Sequence, residues 1–127
     1  MAPYRELTEF YDPDLLLPIG GVVYRVKCPT IGEADRLRRL IVDDSVTSDQ
    51  ELEEIIKILG PVRDEMAANG VRDTMALHAG RTALLHFGGT PSLGRANWQL
   101  GQLGDLLDMQ SILDAAGVNT SPEAAAD

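Results

Sequence analysis

Few side chains in this sequence are suited to chemistry. There are two histidines, His78 and His86, and one cysteine, Cys28. The histidines stand eight positions apart, whereas two ligands that chelate a metal from one helix sit three or four apart, as in HExxH. Asp73 is the one carboxylate close to them in the chain, so structural histidines are expected and no metal or cofactor is. Cys28 follows a strand and precedes Pro29, and as a nucleophile it would need a distant histidine as its base. A small, semi-buried residue is its expected role. A single cysteine makes no internal disulfide, which fits a reducing compartment. Asp12, Asp14, Asp43, Asp44, Glu51, Glu53 and Glu54 could supply an acid and a base. They fall in loops, at helix starts and on polar helical positions, where an acid opposes the positive end of a helix dipole. The pairs Gly20-Gly21 and Gly88-Gly89 match neither GxxxxGKS/T nor GxGxxG, so no phosphate loop is indicated. Arg36, Arg38 and Arg39 are interleaved with acids and read as a solvated helix face. These residues point away from an enzyme.

The elements that would position any site follow from pattern. The chain has 127 residues, enough for one domain with a modest core, and 44% hydrophobic residues argue against wholesale disorder. No apolar run approaches the ~20 residues of a membrane span, and the start, "MAPYRELTEFYDPD", has no secretory pattern. A net charge of −9 repels phosphate backbones, so neither nucleic acid nor membrane is an expected partner.

The stretch "LLLPIGGVVYRVKCP", residues 15–29, predicts a hairpin over 15–27. With Gly20-Gly21 as a two-residue loop, Ile19 faces Val22, Leu17 faces Tyr24 and Leu15 faces Val26, all on one apolar side. Leu16 then opposes Arg25, and Asp14 opposes Lys27 as a charge pair. A one-residue slip would destroy this sorting, so the register is well specified. Pro18 spoils the outer edge of the first strand, while the outer edge of residues 22–27 keeps its donors for a further strand or a partner.

Helices are expected from residue 31 onward. "TIGE" (30–33) and "SDQE" (48–51) have capping-box spacing. Behind the first, Ala34, Leu37, Leu40 and Ile41 recur at helical intervals; behind the second, Leu52, Ile55, Ile56 and Leu59 form a stripe opposite Glu53, Glu54 and Lys57. Gly60-Pro61 interrupts, and a short helix then runs to Asn69-Gly70. The longest helix spans about 72–87, with Met75, Ala79, Ala83 and His86 on one face, widened by Leu84, Leu85 and Phe87. So broad an apolar face predicts the central helix. Thr90 and Pro91 start another helix carrying Leu93, Ala96 and Trp98. Leu100, Leu103, Leu106, Leu107 and Leu113 continue a helical spacing interrupted by Gly101 and Gly104. They are read as a last core helix or a docking segment. The expected fold is α+β, mostly α: a leader (1–13), a single domain (14–117) with an N-terminal β-hairpin packed on four to five helices, and a mobile tail (118–127).

The segment "RELTEFYDPDLLLPIGGVVYRVKCPTIGEADRLRRLI" resembles the tail assembly chaperones of long-tailed phages of actinobacteria. The matching residues are Phe10, Asp12, Pro13, Asp14, Leu17, Pro18, Ile19, Gly21, Tyr24 and Val26, with Pro29 at the junction to the helices. "DEMAANGV" (64–71), "GRTALLHFG" (80–88, with Gly80 where the family has Ala) and Trp98 extend the resemblance to about residues 5–98. Each motif is short, and the specificity lies in their order. The resemblance implies a non-enzymatic protein that keeps the long, largely helical tape measure protein soluble in the infected host's cytoplasm and is absent from the finished virion. The tail tube protein is a further candidate partner. Such proteins are often made in two lengths through a translational frameshift. An alternative expectation is a minor tail or connector protein retained in the particle.

Self-association is expected through the free strand edge and the late leucines. The residues expected to meet partners are Val23, Arg25 and Lys27 on the hairpin, with Leu100, Leu103, Leu106, Leu107 and Leu113 near the end.

Overall fold

The computed structural model of the chain describes residues 3–100. After a single 3-10 turn at Leu7–Glu9 come β1 (Leu15–Ile19), β2 (Val22–Val26), α1 (Ile31–Ile41), α2 (Ser48–Leu59), α3 (Pro61–Ala68) and α4 (Asp73–Gly88). Helical backbone resumes at 91–100, here α5. The fold is α+β and mostly α.

The strands pair antiparallel in the expected register, Leu15 with Val26, Leu17 with Tyr24 and Ile19 with Val22. Gly20 and Gly21 both adopt positive φ, 60° and 84°, which is the backbone a two-residue loop needs to match the twist of its strands. Leu17, Tyr24 and Val26 are buried against the helices, and Leu15 and Ile19 are partly covered. Burial of each such side chain contributes ~1.5–3 kcal/mol, which is how a hairpin too small to stand alone is held. Val22 shares that face but, at the turn end, is left 42% exposed. Tyr24 keeps its hydroxyl satisfied: Asn69 Nδ2 donates to it at 3.1 Å, tying β2 to the end of α3.

Two helix starts differ from expectation in detail. Thr30 Oγ1 does accept from Glu33 N–H at α1, but the Glu33 carboxylate turns to Arg36 instead of reaching back. At α2 the box begins one residue earlier: Thr47 accepts from Gln50 N–H at 3.1 Å, and Gln50 Oε1 accepts from Thr47 N–H at 2.8 Å. The inward face of α2 also differs from the expected stripe. Ile55 and Leu59 are buried, Leu52 and Ile56 are exposed, and Glu54 lies inward enough to meet α1. Gly60, at φ 54°, turns the chain from α2 into α3, and Pro61 occupies the first position of α3, where its missing N–H costs nothing.

α4 is the central helix and packs on both α1 and α2. Its buried face is Ala79, Gly80, Thr82, Ala83, Leu84, Phe87 and Gly88, whereas Met75 is half-exposed. The small residues set the packing distance. A β-carbon on Gly80 would land on Ile55 Cγ2 of α2, and one on Gly88 would lie 2.6 Å from Ile41 Cδ1 of α1. Gly88, expected only to stop the helix, is therefore a contact point. Thr90 caps α5 by accepting from Leu93 N–H at 3.1 Å. The inward face of α5 is not Leu93 and Ala96, which are exposed, but Gly94, Asn97 and the half-buried Trp98. The segment 101–117, read as a last core helix or a docking segment, and the tail at 118–127 lie outside the described residues.

Candidate partner-binding surface

The leader and the outer side of the hairpin form one ion-paired unit. Arg25 Nη1 donates to Asp12 Oδ2 at 2.7 Å and to Asp14 Oδ2 at 3.3 Å. Asp14 Oδ1 also accepts from Cys28 N–H at 2.9 Å, closing the base of the hairpin. Asp14 therefore pairs with Arg25 and not with Lys27, because the side chain of Arg25 reaches back across the sheet. The Arg25 guanidinium, helped by the Asp14 N–H, holds the Asp12 carboxyl below its ordinary range. Cys28 is exposed, not semi-buried.

Around this clasp the surface is apolar. Phe10 (58%), Tyr11 (59%), Leu16 (47%) and Val23 (60%) are all substantially exposed. Single exposed apolar residues are ordinary, and several large ones on a short leader and one sheet face make this the candidate surface. Among the described residues the sheet has two strands, and the register turns the N–H and C=O of Val23 and Arg25 away from β1. Of the residues expected to meet partners, Val23, Arg25 and Lys27 are exposed on β2 or just beyond it, and Leu100 is half-exposed on α5. Leu103, Leu106, Leu107 and Leu113 lie outside the described residues.

On the opposite side of β1 a groove of about 230 Å³ runs between that strand, α4 and α5, lined mainly by Leu15–Pro18, His86, Gly94, Arg95 and Trp98. A polar seam between α4 and α5 meets the groove at Thr82. Asn97 Nδ2 donates to Thr82 Oγ1 at 2.9 Å, and Thr82 Oγ1 donates to the His78 carbonyl at 2.9 Å. His78 Nε2 lies 3.1 Å from the Trp98 carbonyl, a contact in which the ring nitrogen donates. His86 packs edge-on to Phe87, and burial, with Arg95 adding to it, lowers its pKa. The histidines thus belong to different surroundings on α4. Among the described residues no three of His, Cys, Asp and Glu come together as a metal site.

The acids expected on solvated faces are partly engaged in joining helices. Arg36 of α1 makes a two-pronged contact with Glu54 of α2, at 2.8 and 2.7 Å, while its Nε donates to Glu33 at 3.0 Å. The hydrogen bonds from Arg36 hold both carboxyls below their ordinary range. Arg81 Nε of α4 meets Glu51 of α2 at 2.9 Å. Of the arginine cluster, Arg36 is half-buried and structural, and Arg38 pairs along its own helix with Asp35. The sequence carried one signal for the Arg36 contact: Glu54 sits beside Ile55, so a small rotation of α2 brings it inward.

The described residues thus form a hairpin-and-helix body with an exposed apolar leader and a groove. The chain belongs to the DUF7426 family, a domain of unknown function whose model matches residues 5–127. No curated protein and no solved structure matches it. No helix among the described residues is long and apolar enough to cross a membrane.

Proposed function

We propose that this protein is a phage tail assembly chaperone that binds the tape measure protein and keeps it soluble while the tail is built. It would act in the cytoplasm of the infected host. The order of the motifs from the leader through Trp98 supports the reading. The observation that carries it is the exposed apolar surface of the very segment that bears the resemblance: Phe10, Tyr11, Leu16 and Val23 face outward beside a clasp made by Asp12, Asp14 and Arg25. An apolar, helical client needs such a surface on a carrier that stays dissolved, and a net charge of −9 favours solubility.

The test is co-expression with the tape measure protein encoded by the same phage. The soluble fraction of the client should rise and the two should co-purify. Unchanged solubility together with no co-purification refutes the proposal. Mass spectrometry of purified virions supplies a second arm. Abundant incorporation of this chain would instead favour a structural tail component.

A further inference from the structure

We infer that α5 is a separable helix that opens from α4 as the pH falls, with protonation of His86 as the trigger. This holds whether or not the protein is a chaperone.

The docking of α5 is polar where that of α4 is apolar. Leu93 and Leu100 are 43% and 49% exposed, and Ala96 is exposed as well. The residues turned towards α4 are Gly94, Asn97 and the half-buried Trp98. Asn97 and Thr82 are buried and bonded to each other, and His78 Nε2 meets the Trp98 carbonyl. Water replaces such bonds when the surfaces part, so they fix the register of α5 more than they resist its release. The helix α4, by contrast, is held by buried Ala79, Ala83, Leu84 and Phe87. An element docked with so little apolar burial opens locally, well before the whole domain unfolds.

His86 lies where α5 comes closest. A β-carbon on Gly94 would lie 2.8 Å from His86 Cβ and 3.0 Å from its Cα, so the two helices touch there almost backbone to backbone. The next residue, Arg95, lines the groove beside His86, while β1 contributes only the uncharged Leu15–Pro18. On that lining Arg95 is therefore the one charged group facing the ring, and no carboxylate offsets it. The other titratable group at the contact is His78, two turns earlier on α4; its bond to the Trp98 carbonyl is one that a neutral or a charged ring can donate. With α5 docked, burial first and Arg95 second hold the pKa of His86 below its ordinary 6.5. With α5 released, the ring is hydrated and away from Arg95, and it titrates nearer that ordinary value. The open state thus binds the proton more readily. Opening is favoured as pH falls below about 6.5, and the gain levels off below the docked value. Glu33 and Glu54, whose ordinary value is 4.5 and whose folded values are lower still, titrate beneath this interval.

Hydrogen exchange of the full chain, followed by mass spectrometry and corrected at each pH for the intrinsic rate, reads the opening directly. At about pH 7.5 the amides of α5 should be at least ~10-fold less protected than those of residues 79–88, and by about pH 5.5 their protection should fall a further ~3-fold while residues 79–88 stay unchanged. In His86→Gln the protection of α5 should not vary with pH over that range. The ring of His86 in the parent, titrated by proton NMR, supplies a measurement that needs no variant and should give a pKa below 6.5. Equal protection of α5 and residues 79–88 overturns the inference, because α5 would then open only with the whole domain. So does α5 protection that is constant with pH in the parent, a drop that persists in His86→Gln, or a His86 ring that titrates at or above its ordinary value.

Discussion

Replacing Gly80 by alanine sets two physical arguments against each other. Gly80 lies inside α4, where alanine is favoured over glycine by ~1 kcal/mol on helix propensity alone. The tertiary contact opposes this. The added methyl would land on Ile55 Cγ2 and lie 3.1 Å from Ile55 Cβ and 3.3 Å from Cγ1. Ile55 is only 2% exposed, and its β-branched side chain has one strongly preferred rotamer in a helix, so it cannot simply swing aside. Overpacking of this kind costs ~1–3 kcal/mol, and contact with the branch of a buried isoleucine belongs at the upper end. The net expectation is a loss of ~2 kcal/mol, which at ~4 °C per kcal/mol lowers Tm by ~8 °C. Gly32→Ala is the matched control. A β-carbon there meets nothing within 4 Å, so that variant should gain up to ~1 kcal/mol. Thermal and urea melts followed by circular dichroism read both. Ile55→Ala alone should cost ~2–5 kcal/mol, but much less when combined with Gly80→Ala, because the new methyl occupies the vacated space. A Gly80→Ala protein that melts at or above the parent, or effects that add without coupling to Ile55→Ala, would refute the close-approach account of the α2–α4 contact.

Two further predictions concern stability. Leu17→Asp places a carboxylate on a buried strand position facing Tyr24 and should cost more than ~3 kcal/mol, leaving little cooperative melting; a parent-like melt would remove the hairpin from the core. Arg36→Met should cost about 1 kcal/mol or less at neutral pH, since the network is partly solvated. Glu33 and Glu54 titrate lower when folded than their ordinary 4.5, so their contribution is full above about that pH and is lost as pH falls through the depressed folded values. The parent should therefore lose stability on acidification over that interval more steeply than Arg36→Met; equal slopes in urea melts across the acid range would show that the Arg36 contacts contribute nothing.

The hairpin was legible because its information is local. A Gly-Gly loop and a period-two pattern determine register, loop and buried side together, and Leu17, Tyr24 and Val26 went where that pattern sent them. The helix order was legible for the same reason, through Thr30, Gly60-Pro61, Asn69-Gly70 and Thr90-Pro91. The exposed positions of Val23, Arg25 and Lys27 also followed from strand alternation. What periodicity could not supply was the rotation of each helix about its axis and the identity of its neighbour. Leu52 and Ile56 look like core and are exposed, while Glu54 looks like surface and reaches across to Arg36. Along α5 the leucine and alanine face outward, and Gly94 and Asn97 face α4. Asp14 found Arg25 instead of Lys27 because long side chains choose partners in three dimensions. Gly80 shows the difference most directly: in sequence it is a weak point in a helix, and only the approach of Ile55 makes it a requirement. Hydrogen bonding along the backbone and alternation of apolar residues are properties of neighbours in the chain, so the sequence by itself determined the elements and their order. Interhelical distance, helix rotation and the shape of the groove depend on side chains far apart in the chain competing for the same space, and the tertiary structure alone decided those.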